Sequence, residues 1–149
     1  MNLKEALYRS ILEIFAMIDL QPELKQEVEE HSLTSASEIN ALVGFNYVIK
    51  GNVVLALDKQ AALKITAAMT GTDPGQDAAK VKSAIGDMAK LVTDLALGKM
   101  KISSAIYFTP PPTLITGEDV FLLISRTRSE RLKFEINGGA EFSIAYSLD

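Results

Sequence analysis

After Lys101 the chain stops repeating at helical spacing. KISSAIYF, EDVFLLISR, LKFEI and AEFSIAYSL succeed one another as strand-sized runs, interrupted by TPPP and, before the last run, by the hairpin signal Asn137-Gly138-Gly139. Parallel neighbours need a crossover of a dozen residues or more, so strands joined this closely pair antiparallel. In the last run Phe142, Ile144, Tyr146 and Leu148 alternate with Glu141, Ser143, Ala145 and Ser147, which predicts one buried and one solvated face.

The preceding part supplies helices for such a sheet. Leu3, Leu7, Ile11, Ile14, Phe15 and Ile18 recur at steps of three and four, predicting an amphipathic helix over 2–18 with Asn2 as its N-cap. LQPELKQEVEEHS reads as a polar connector. VGFNYVI and NVVLALD are strand-like, and Lys50-Gly51-Asn52 between them predicts a hairpin turn. AALKITAAM reads as a helix closed by Gly71, and Asp77 caps a longer helix that runs to about Leu97, with Gly98 just past its end. The expected fold class is α+β, a mainly antiparallel sheet with long helices packed on one face, in a single domain over 1–149.

Several chemistries lack their residues. The 149-residue chain has no cysteine, and its one histidine, His31, lies in the hydrophilic EVEEHS. Thiolate and imidazole metal sites, cysteine nucleophiles and Ser-His-Asp catalysis therefore have no basis, and no phosphate-binding glycine loop is present. A net charge of −4 argues against a nucleic-acid partner. No apolar run is long enough to cross a bilayer, and the charged residues of MNLKEALYRSILEIF exclude a signal peptide. The expected location is the cytoplasm.

What remains is a helix surface. In SAIGDMAKLVTD and its flanks, Val81, Ile85, Met88, Val92 and Leu95 share a stripe with Ala84 and Leu91 beside it. Lys80, Ser83, Asp87, Lys90 and Asp94 fall opposite, in mutual reach. The spacing alone leaves two readings open. Asp87–Lys90 and Lys90–Asp94 are ordinary helix pairs of a solvated face, each contributing about 0.2–0.5 kcal/mol. Alternatively the row meets a partner; Gly86, a mid-helix glycine that costs up to about 1 kcal/mol relative to alanine, leans that way because it needs a packing or access reason.

These segments resemble the CheX-type chemotaxis phosphatases, relatives of the CheC and FliY proteins. ALYRSILEIFAMIDLQPE resembles the opening helix of that family, GFNYVIKGNVVLALD its first hairpin, and YFTPPPTLITGEDV its Pro-Pro-Thr-x-x-x-Gly segment. The family's active-site helix carries Asp or Ser, then Glu four residues on, then Asn three further, with a Pro a little over twenty residues later. Ser83 and Pro112 match the outer positions, and Gly86 matches the glycine that precedes the glutamate. Asp87 stands in place of Glu, Lys90 in place of Asn, and Asp94 where a small residue is usual.

The resemblance implies a cytoplasmic, CheX-like signalling protein that binds or acts on a phosphorylated CheY-like response regulator. Asp87 and Lys90 would hold the degenerate catalytic positions, and Ser83, Gly86, Asp94 and Pro112 would bind the partner. It implies no cofactor of the chain's own, the metal residing on the regulator, and a homodimer formed through the sheet. Hydrolysis of the regulator's aspartyl-phosphate is expected to be weak or lost, because lysine has three donors and no acceptor with which to orient water. The alternative is a non-catalytic interaction or structural module related to flagellar-switch proteins.

Overall fold

The structure is a computed structural model that describes residues 1–47, 49–101 and 107–149. Helix α1 (Leu3–Met17) leads to strands β1 (Pro22–Glu30), β2 (Leu33–Ser35), β3 (Ile39–Tyr47) and β4 (Lys50–Leu57). Helices α2 (Lys59–Thr70) and α3 (Ala78–Lys99) follow, then β5 (Tyr107–Phe108), β6 (Thr113–Thr116), β7 (Leu122–Ser125), β8 (Ser129–Ile136) and β9 (Ala140–Leu148).

Among the described residues, the main sheet runs in the order β1-β8-β9-β4-β3-β5, with β6 also paired to β3. Every pairing is antiparallel. One face of this sheet carries Val53, Leu55 and Leu57 of β4 together with Leu132, Phe134, Phe142 and Ile144. It is buried against Leu7, Ile11 and Phe15 of α1 and Ile85, Met88 and Val92 of α3. Phe15, Phe142 and Phe134 stack at centroid spacings of 5.1 and 4.9 Å, so α1 is keyed to the middle of the sheet.

Local chemistry sets the helix ends. The Asn2 carboxamide accepts from the Glu5 N–H at 2.8 Å, and Asp58 does the same for Ala61 at 2.7 Å. Gly71 closes α2 at φ 77°, a left-handed conformation that favours glycine.

Four expectations are corrected. The LQPELKQEVEEHS connector is mostly β1, an edge strand whose alternation is broken by a register shift between Leu24 and Gln26. Gly51 and Asn52 lie inside β4, which begins at Lys50, opposite Phe45 and Gly44 of β3. A Cβ on Gly51 would meet the Ser147 carbonyl oxygen at 2.3 Å, so glycine is needed there for strand contact. Gly98 is helical, and α3 ends at Lys99 with Met100 as its C-cap. Ser143, Ala145 and Ser147 of β9 are buried, not solvated. A two-stranded β2–β7 sheet covers their side, with Leu33 and Ile124 packed on Val54 and Ala145. Of the KISSAIYF run, 102–106 lie outside the described residues and the last two form β5.

Candidate functional site

Helix α3 is fixed at both levels that matter for its outer face. The Asp77 carboxylate accepts from the Lys80 N–H at 3.1 Å and sets where the helix begins. Val81, Ile85, Met88 and Val92 bury the stripe beneath. That leaves Ser83 and Asp87 exposed on the opposite side, with Lys90 and Asp94 partly so at 39% and 35% side-chain exposure. Leu91, expected to flank the core, is instead 50% exposed beside this row.

A second element crosses the helix here. Asn46 pairs with Phe108 and Leu42 with Thr113, so the four residues of 109–112 stand against the three of 43–45. Prolines 110–112 have no N–H to offer β3, and the segment bulges out between β5 and β6. The bulge presents Thr109 to one side of α3 and lays Pro112 over Gly86. A Cβ on Gly86 would stand 3.2 Å from Pro112 Cγ and 3.0 Å from Leu114 Cδ2. The mid-helix glycine therefore has a packing reason: it seats the proline segment.

One turn further along, three side chains close a ring. Lys90 Nζ donates to Asp94 Oδ2 at 3.1 Å and to Thr109 Oγ1 at 2.7 Å, while the Thr109 hydroxyl donates to Asp94 Oδ1 at 3.3 Å. Each of the three holds the other two. The ammonium uses two of its three donors internally, and its charge is offset by a carboxylate at contact distance. Among the described residues Asp87 makes no ion pair, so it is the row's uncompensated carboxylate.

The structure thus brings Ser83, Asp87, Lys90, Asp94 and Pro112 onto one surface and adds Thr109, while Gly86, expected to bind the partner, is buried beneath Pro112 and Leu114. No sequence signal pointed to Thr109: it lies nineteen residues from Lys90 and is brought close only by the bulge. The surface is open. A concavity of about 760 Å³ lies elsewhere, where Arg131, Lys133, Thr34 and Ser143 are among its lining residues. An open convex helix face with a packed side wall suits a macromolecular partner better than an enclosed small molecule. Among the described residues no group of acidic or histidine side chains is spaced to hold a metal, and no helix is long and apolar enough to cross a membrane.

Residues 39–137 match the family model described as chemotaxis phosphatase CheX. The fold is shared with solved structures. A chemotaxis protein CheX from Desulfovibrio desulfuricans superposes with a TM-score of 0.86 at 18% identity, each chain covered completely. CheX from Vibrio vulnificus gives 0.84 at 15% identity, with 99% of each chain covered. The CheX–CheY–BeF3–Mg2+ complex from Borrelia burgdorferi gives 0.78 at 12% identity, covering 99% of this chain and 97% of that one. No curated protein matches the chain by sequence.

Proposed function

The chain belongs to the CheX family of chemotaxis phosphatases, and from that premise we propose that the outer face of α3 binds the phosphorylated receiver domain of a CheY-type response regulator with hydrolysis weak or lost. A CheX–CheY complex exists for a relative of the same fold, which supports the partner class. The partner supplies the metal and the acidic pocket around its phosphoaspartate, and this chain supplies the helix.

The observation that carries the reading is the state of Lys90. Hydrolysis of an aspartyl-phosphate adds water across the acyl-phosphate, giving carboxylate and inorganic phosphate. A helper residue must accept from and donate to that water to hold it in line. An ammonium only donates, and Lys90 already gives two hydrogen bonds to Asp94 and Thr109. It is suited to holding a phosphoryl oxygen by charge and unsuited to aligning a nucleophile. Asp87, one methylene shorter than glutamate, reaches about 1.5 Å less far toward a partner cation. Ser83 stands at one end of the face, and Pro112 flanks it over Gly86.

A second reading has its own observation. Phe121 and Leu123 are 71% and 49% exposed around β7, an apolar patch on the other side of the sheet from α3. Such a patch favours an interaction module whose contacts lie away from the helix.

The test is to mix the protein with a phosphorylated, Mg2+-loaded CheY-type receiver and follow phosphate loss and complex formation together. A complex with unchanged decay is the expected result. Accelerated decay overturns the loss of catalysis. The absence of both, across receivers, moves the interaction-module reading ahead.

A further inference from the structure

We infer that Asp94 and Thr109 are positioning residues that act on the receiver's phosphoryl group through Lys90, with Asp94 serving as an internal competitor for the ammonium. The inference rests on the receiver-binding reading and goes beyond it. Asp94 Oδ2 takes a position on Lys90 Nζ, at 3.1 Å, that a phosphoryl oxygen would otherwise take. Thr109 reinforces the hold from both sides, accepting from the ammonium and donating to the carboxylate. A phosphoryl group carries more charge and more acceptor oxygens than a carboxylate, so it can share or take over the ammonium. To do so it must displace the Asp94 carboxylate from the ammonium. Neither Lys90 nor Asp94 is deeply buried, and the ring can open without exposing the core.

Two consequences separate this from a merely structural ion pair. Removing the carboxylate must strengthen binding of an anionic partner, and the gain must disappear when Lys90 is absent. The probe is a CheY-type receiver domain loaded with Mg2+ and beryllofluoride, and the readout is its dissociation constant with the full chain at low salt. Asp94→Asn is expected to tighten binding about two- to fivefold, the range that an exposed ion pair can withhold. Thr109→Val loosens the same ring and shifts affinity in the same direction by less, while Thr109→Ser keeps the hydroxyl and leaves wild-type affinity. In a Lys90→Met background, Asp94→Asn adds nothing.

Unchanged or weaker binding by Asp94→Asn overturns the inference, as does a gain that persists with Lys90→Met, which would make Asp94 a direct repeller. Failure of wild type and every variant to bind any receiver overturns the underlying reading and the inference with it. A measurement without any receiver tests the ring alone. The Lys90 ammonium should give a 15N-resolved proton signal in the wild type, slowed in exchange by its two acceptors, and lose it in Asp94→Asn. A signal indifferent to Asp94 would also overturn the inference.

Discussion

Lys90 on α3 and Arg131 on β8 are each tied to a carboxylate and a hydroxyl, on opposite faces of the sheet and at different depths. Arg131 donates from Nη1 to Ser143 Oγ at 2.8 Å and from Nη2 to the Thr34 carbonyl, with Glu30 3.8 Å from Nε. One guanidinium thereby links β1, β2, β8 and β9 and joins the small sheet to the large one. Its side chain is 9% exposed, against 39% for Lys90. Burial holds the Arg131 guanidinium below its ordinary range, and Glu30 pushes it back up. The same partner chemistry gives a structural rivet in one place and an exchangeable clamp in the other. Depth decides which, because a buried cation that loses its partners cannot turn to water.

The largest expected effect tests that contrast directly. Arg131→Leu leaves the Ser143 hydroxyl and the Thr34 carbonyl without their donor and should cost about 3 kcal/mol of stability. Lys90→Leu, whose partners face solvent, should cost less than about 1 kcal/mol. Urea denaturation of both variants under one condition measures the difference. Equal losses would break the comparison.

Gly86 sharpens it from the packing side. Valine there must displace Pro112 and Leu114, whose nearest atoms lie 3.2 and 3.0 Å from the first added carbon. We expect Gly86→Val to cost about 2 kcal/mol. Gly86→Ala should come out near zero, because about 1 kcal/mol of helix propensity offsets the tighter contact. If valine is tolerated as well as alanine, the proline segment is not seated on the helix as described, and Thr109 has no fixed address.

The exchangeable clamp can also be rebuilt for catalysis. Lys90→Asn combined with Asp87→Glu replaces the donor-only ammonium with an amide that both donates and accepts, and restores the longer carboxylate. Receiver dephosphorylation should rise about tenfold over wild type, equivalent to about 1.4 kcal/mol of barrier. Phosphate release from a labelled receiver measures it. No rise, with the fold intact, would mean that Lys90 is not what limits hydrolysis.

Sequence alone carried the helices further than the strands. The α3 stripe, its Asp77 cap and the Gly71 stop follow from residues within a turn or two of one another, where periodicity and capping act. The edge strand β1 was hidden because only one of its faces meets protein and its register shift at Leu24–Gln26 breaks the alternation. Gly51 misled for a related reason: its missing Cβ serves a neighbouring strand nearly a hundred residues away and no turn. The small sheet over Ala145 was equally invisible, since serines and alanines suit a closely covered face as well as a wet one. At the candidate site, the resemblance supplied Ser83, Gly86, Asp87, Lys90, Asp94 and Pro112 as positions. It could not supply their partners. The Lys90–Asp94 pairing was legible from helical spacing, whereas the third member of the ring was not, because Thr109 arrives by a bulge in another element.

The smallest effect is the one that best separates the two cations. If the Lys90–Asp94 pair were a rivet like Arg131, removing its carboxylate would unfold the protein measurably. At 39% and 35% exposure the pair instead remains in contact with solvent. Both side chains can rehydrate, and α3 remains held by Ile85, Met88 and Val92 beneath. Asp94→Asn should therefore lower stability by no more than about 0.5 kcal/mol at low salt. That residue of stabilisation should vanish near 1 M salt, where the screening length falls to about 3 Å, shorter than a typical side chain. Paired denaturation curves at the two ionic strengths test this. A loss of 2 kcal/mol, or one that survives high salt, would make the ring a structural element, and an incoming phosphoryl group could not open it without cost to the fold.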